Sequence, residues 1–68
     1  MCIMNGDVGI GTTTPSSILD IDSTTGTLIV ARMTTTQRNA LTPVNGMIIY
    51  NTTTTVFNFY ENGSWVTK

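Results

Sequence analysis

Asp20 and Asp22 are the nearest this sequence comes to a pair of carboxylates for general acid–base work. Together with Thr24 and Gly26 they also echo a calcium loop. The glycine comes one place late, however, and Ala31 stands where the bidentate glutamate belongs. Solvated carboxylates on a strand and its turn are the simpler reading, and an ion shared between chains is the alternative. Gly9-Ile10-Gly11-Thr12-Thr13-Thr14 begins like a dinucleotide fingerprint, but Thr14 replaces the third glycine and no long crossover helix follows. Arg32 and Arg38 have no paired base or nucleophile to work with, so catalysis by them has no support. Their planar guanidinium forks suit carboxylates or carbonyls at an interface instead. Without histidine, and with Cys2 as the single cysteine, neither an internal disulfide nor the usual N/S zinc site is available. No enzyme, cofactor or metal centre is expected.

Tyr50, Tyr60 and Trp65 carry large apolar rings with polar tips, the ingredients of a sugar-stacking platform. In so small a chain such rings serve more readily as core or subunit interface. Asn51-Thr52-Thr53 and Asn62-Gly63-Ser64 have the form of glycosylation sequons, which a sequence rich in Asn, Thr and Ser produces by chance. Turns account for both.

Size sets a sharper limit. At 68 residues the chain is one domain at most. It buries roughly 60% of its unfolded surface, and the stabilisation from burial comes out about equal to the cost of ordering the chain. Disulfides and zinc being absent, oligomerisation is the remaining source of stability. Charged residues make up only 10% of the chain, and Arg32, Arg38 and Lys68 form no cluster able to neutralise phosphates, so nucleic acid is not a partner. Threonine, about a fifth of the residues, favours strands and keeps a sheet face wet without charge. The longest strongly apolar runs, 28–31 and 47–50, fall far short of the ~20 residues of a spanning helix, so membrane insertion is not expected. Neither a basic n-region nor an apolar h-region opens the chain. Either the secretory route is not used or its signal lies elsewhere in a longer chain.

These limits put the weight on the elements that hold the aromatics. All five aromatic side chains fall between Tyr50 and Trp65. Residues 46–66 read as three short strands in a meander. A loose hairpin at Thr52–Thr55 joins the first two, and the type I′ signal Asn62-Gly63 joins 56–61 to 64–67. Along these strands Ile48 and Tyr50 share a face, as do Phe57 and Phe59; Met47 and Ile49 lie on the opposite side from Ile48, and Val56, Asn58 and Tyr60 on the opposite side from Phe57. Upstream, Thr34-Thr35-Thr36-Gln37 is a capping box opening a short helix to about Leu41, which Pro43 ends. Thr27–Ala31 reads as a strand with apolar residues on both faces, including Leu28 and Val30. Residues 1–26 read as a Gly/Thr-rich, linker-like stretch. Met1–Met4 could enter as a strand, Asn5-Gly6-Asp7 turns, and Thr14-Pro15-Ser16-Ser17 signals a helical start. Gly9 and Gly11 suit an extended segment that another backbone approaches closely. At 19–22, Leu19 and Ile21 face one way and the two aspartates the other.

Two stretches carry a resemblance to a known family. Val8-Gly9-Ile10-Gly11-Thr12-Thr13-Thr14-Pro15 with Leu19-Asp20-Ile21 resembles an element of bacteriophage tail-fibre proteins and related bacterial surface proteins. That element lies in fibre shafts or just before a carboxy-terminal chaperone domain. The run from Arg32 to Leu41, with Gly46-Met47-Ile48-Ile49-Tyr50-Asn51 and Tyr60-Glu61-Asn62-Gly63-Ser64-Trp65, is similar to a recurrent module of those fibres and of giant-virus surface proteins. Members are long, repetitive and usually trimeric. The resemblance implies a mainly β module with short helical turns, packed as a homotrimer or fibre stack, in a virion tail fibre or outside the cell. Its partners would be copies of itself and other fibre segments. Leu28, Val30, Ile48, Tyr50, Phe57, Phe59 and Trp65 are the expected core and inter-chain contacts. The competing reading is a host-surface or glycan-binding module built on Tyr50, Tyr60 and Trp65.

Overall fold

The computed structural model describes residues 1–68. Two small sheets account for nearly all its regular structure. In the first, β1 (Cys2–Met4) pairs antiparallel with β2 (Asp7–Ile10), and β2 pairs parallel with β3 (Leu19–Ile21). Asn5 and Gly6 turn the β1–β2 hairpin with φ of 53° and 83°, the positive-φ pair of a type I′ turn. The order is β1-β2-β3. Residues 1–26 are therefore not linker-like with one short strand, but a three-stranded sheet.

In the second sheet the order is β4-β5-β6-β7. β4 (Arg32–Met33) runs parallel to β5 (Ile48–Asn51), and the helix α1 (Thr35–Asn39) lies in the crossover between them. β5, β6 (Val56–Glu61) and β7 (Ser64–Thr67) form the expected meander. Asn62 and Gly63, with φ of 53° and 78°, supply its second turn. Helix α1 begins at the expected capping box: the Thr34 hydroxyl accepts the Gln37 N–H, and the Gln37 side chain accepts the Thr34 N–H.

Two expected elements do not form. Residues 27–31 are irregular, and Leu28 and Ile29 are 60% and 65% exposed. A strand needs a ladder partner, and β5 begins at Ile48, which the β4–β5 register sets level with Val30, so 27–29 lie beyond its reach. Pairing with it therefore reaches back only to the Ala31 carbonyl, which accepts the Tyr50 N–H. The helical start at 14–17 is replaced by bends because residues 18–21 are drawn into pairing with β2, where the Ile18 carbonyl accepts the Val8 N–H, and leave no length for a helix. Thr14 N–H goes to the Thr12 hydroxyl, and Ser16 N–H goes to the Asp20 carboxylate.

The 11–18 crossover folds onto one face of the first sheet. There Gly9 is buried, the Cys2 thiol donates to the Thr13 carbonyl, and Asp20 holds Ser16. Both glycines lie where backbone comes close, which is what their alternation with β-branched residues suggested. A Cβ on Gly11 would stand 2.0 Å from the Asp22 carbonyl oxygen, and φ there is +81°. Gly11→Ala should cost about 2 kcal/mol or more through clash and positive-φ strain combined. A chemical denaturation midpoint equal to that of the parent chain would refute this.

The single chain is not compact. Its radius of gyration is 14.7 Å, whereas a compact domain of this length has about 11 Å. Only four of 68 residues are buried, and Ile49 is the one apolar side chain among them. The core of this protein is incomplete within one copy.

Candidate functional site

The register of the second sheet sorts its side chains onto two faces. Ile48 stands opposite Phe59, Tyr50 opposite Phe57, and Phe59 opposite Val66. Directly paired residues point the same way, so Ile48, Tyr50, Phe57, Phe59 and Val66 form one continuous apolar face. The Tyr50 and Phe57 rings meet edge to face at 5.1 Å, and Phe57 and Phe59 lie 6.3 Å apart. The chain covers them only in part: Tyr50, Phe59 and Val66 are half-buried. Ile48 remains 46% exposed and Phe57 44%. At the edge of this face a shallow, mainly apolar hollow runs along Gly46, Met47, Ile48, Phe59 and Lys68.

On the opposite face the helix packs. Its contacts are a polar network that sequence reasoning did not single out. Asn51 is 1% exposed and Asn58 2%. The Asn51 amide NH₂ donates to the Thr35 hydroxyl (2.9 Å) and to Asn58 Oδ1 (2.9 Å). Its Oδ1 accepts the backbone N–H groups of Thr53 and Thr54, which closes the threonine hairpin. Arg38 reaches across to Asn58 Oδ1 at 3.0 Å, and its Nε and Nη2 grip Asn39 Oδ1. The guanidinium fork that was expected at an interface therefore holds amides within one chain. No buried side-chain polar atom is left unpaired, the condition under which a buried polar cluster rigidifies rather than destabilises. A signal did exist in the sequence: Asn51 and Asn58 fall at strand positions that alternation assigns to the same side as Ile49 and Val56.

Trp65 belongs to this helix face, beside Tyr60 and away from Phe57 and Phe59. The Tyr60 and Trp65 rings pack edge to face at 5.1 Å, and the Arg38 guanidinium lies 5.4 Å over the indole. The Tyr60 hydroxyl donates to the Gly63 carbonyl. Tyr50, Tyr60 and Trp65 are thus not one platform. Tyr50 lies across the sheet, and the other two rings are occupied by each other and by Arg38. Of the remaining contact candidates, Leu28 is exposed and Val30 half-buried on the irregular segment before β4. Arg32, paired with Tyr50, borders the bare face.

The other candidates have structural uses. Asp20 holds the crossover loop, and no group of three acidic, cysteine or histidine side chains gathers anywhere. Asn51 is too deeply buried to carry a glycan, so its turn role stands.

A small β module with a satisfied polar face under its helix and a bare aromatic face opposite is, as a class, a self-associating structural element. Residues 9–68 match the family described as the phage tail-like trimerisation region, and the chain belongs to that family. It is a phage tail-like, structural, trimeric module, mostly β with one short helix. No curated protein and no solved structure matches the chain.

Proposed function

We propose that this chain is an assembly segment of a phage-tail-like fibre, in which three copies pack through the face of Ile48, Tyr50, Phe57, Phe59 and Val66. Surface area carries the reading. A folded monomer of 7.4 kDa exposes about 4,200 Å², and this one exposes 5038 Å². The excess, roughly 800 Å², is what each partner of a standard protein–protein interface buries. Uncovered aromatic and aliphatic side chains are the place to bury it, since apolar surface stabilises an assembly at about 25 cal/mol per Å² removed from water.

Leu28 and Val30 join this interface in the proposal. Residues 27–30 lack a ladder partner in their own chain, and a neighbouring copy supplies a surface for their side chains. The role is mechanical and not enzymatic: the segment holds three chains in register within a virion or an extracellular fibre, with other fibre segments as its neighbours. Native mass across a dilution series tests it. A species of three times the chain mass is expected at micromolar concentration. A stable folded monomer under those conditions overturns the proposal.

A further inference from the structure

The first sheet has a bare face of its own. Ile3 stands opposite Val8, Val8 opposite Leu19, and Ile10 opposite Ile21, so these five aliphatic side chains share one side. Cys2, Met4, Asp7, Gly9 and Asp20 share the other, where the 11–18 crossover lies. The aliphatic side receives no such cover. Ile3 is 65% exposed, Leu19 54% and Ile10 44%. The exposed Leu28 and Ile29 show that the irregular segment does not supply it either.

We infer that this aliphatic face is a second self-association surface, which packs against the same face of two further copies of the chain. The inference rests on the trimeric reading above and extends it to a separate sheet. Three observations select copies of this chain as the occupant. The family match begins at residue 9, inside β2, and takes in all of β3, so the trimerisation region includes Ile10, Leu19 and Ile21 of this face. The face holds only isoleucine, valine and leucine. A surface turned toward a three-fold axis meets two images of itself, and any charge on it would face its own sign; here there is none. Asp7 and Asp20 lie on the opposite side, where the crossover loop and solvent receive them. A partner of different chemistry would call for polar or charged groups to orient it, and the aliphatic face offers none.

The test compares native mass over a dilution series for the full chain, for Leu19→Lys, and for Thr24→Lys in the exposed connection as a charge control. Leu19 is already more than half exposed, so lysine there is solvated in a single chain and acts on association alone. Leu19→Lys should raise the concentration at which the trimer dissociates at least about tenfold, with Thr24→Lys unchanged. A wild-type trimer whose midpoint Leu19→Lys does not move overturns this inference and leaves the proposed function standing. A monomeric wild type overturns both. Cross-linking provides a second readout. In the double variant Cys2→Ser with Ile10→Cys, mild oxidation should join chains, since residue 10 is on the proposed contact face. The wild-type thiol of Cys2, on the other face, should stay free. A trimer of the double variant that remains unlinked counts against the inference.

Discussion

Phe57→Asp should leave the chain monomeric at concentrations where the parent is a trimer. Phe57 sits at the centre of the bare face, against Tyr50 and near Phe59, and is 44% exposed in a single copy. Its own chain therefore loses little when the ring is replaced. The assembly loses much more. Removing the contribution of one phenylalanine costs roughly 2 kcal/mol per chain, or about 6 per trimer, before any charge is considered. Three carboxylates brought together in an apolar interface add a further penalty. Even without the charge penalty, about 6 kcal/mol per trimer corresponds to roughly a 10⁴-fold shift in the association equilibrium. Sedimentation equilibrium at several loading concentrations reads this directly. If the variant keeps the parent's mass on dilution, this face is not the interface.

Asn51→Ala should produce the largest loss of stability among single changes on the helix face. The amide holds four partners at once: Thr35, Asn58, and the backbone N–H groups of Thr53 and Thr54. Alanine leaves a small cavity at a position 1% exposed and removes the hairpin's closing acceptor. At about 1 kcal/mol net per bond and more for donors left unpaired, the expected cost is roughly 3 kcal/mol. For a chain of this length that lowers the melting temperature by more than about 10 °C. Asn51→Asp separates the causes. It retains the oxygen that caps Thr53 and Thr54, but puts a carboxylate 2.9 Å from Asn58 Oδ1 in place of a donor. It should be no better than alanine if the donor matters, and close to wild type if only the hairpin cap does. Both must be measured at equal chain concentration, because assembly and folding are linked. A midpoint for Asn51→Ala within error of the parent would show the network to be incidental.

The sequence by itself determined what local chemistry determines. Asn62-Gly63 and Asn5-Gly6 set their turns because these pairs accept positive φ at both positions. Thr34 and Gln37 set the helix start because each satisfies a backbone N–H of the other. Strand alternation paired Ile48 with Tyr50 and Phe57 with Phe59, the β5–β6 register then set the two pairs on one face, and composition pointed to association as the source of stability. Elsewhere the outcome depended on partners distant in sequence. Thr27–Ala31 has the composition of a strand, but a strand is a pairing, and in the β4–β5 register β5 begins level with Val30, which leaves 27–29 without a partner. Thr14–Ser17 has a helix-start signal, but residues 18–21 pair with β2 and leave no length for a helix. Trp65 could not be assigned to a face until the β6–β7 register set it opposite Tyr60. Tertiary structure alone also decided that Asn51, Asn58 and Arg38 meet under the helix, because hydrogen-bond partners 7 and 20 residues apart leave no periodic trace in the chain. Periodicity records which way a side chain points; only the fold determines what it meets there.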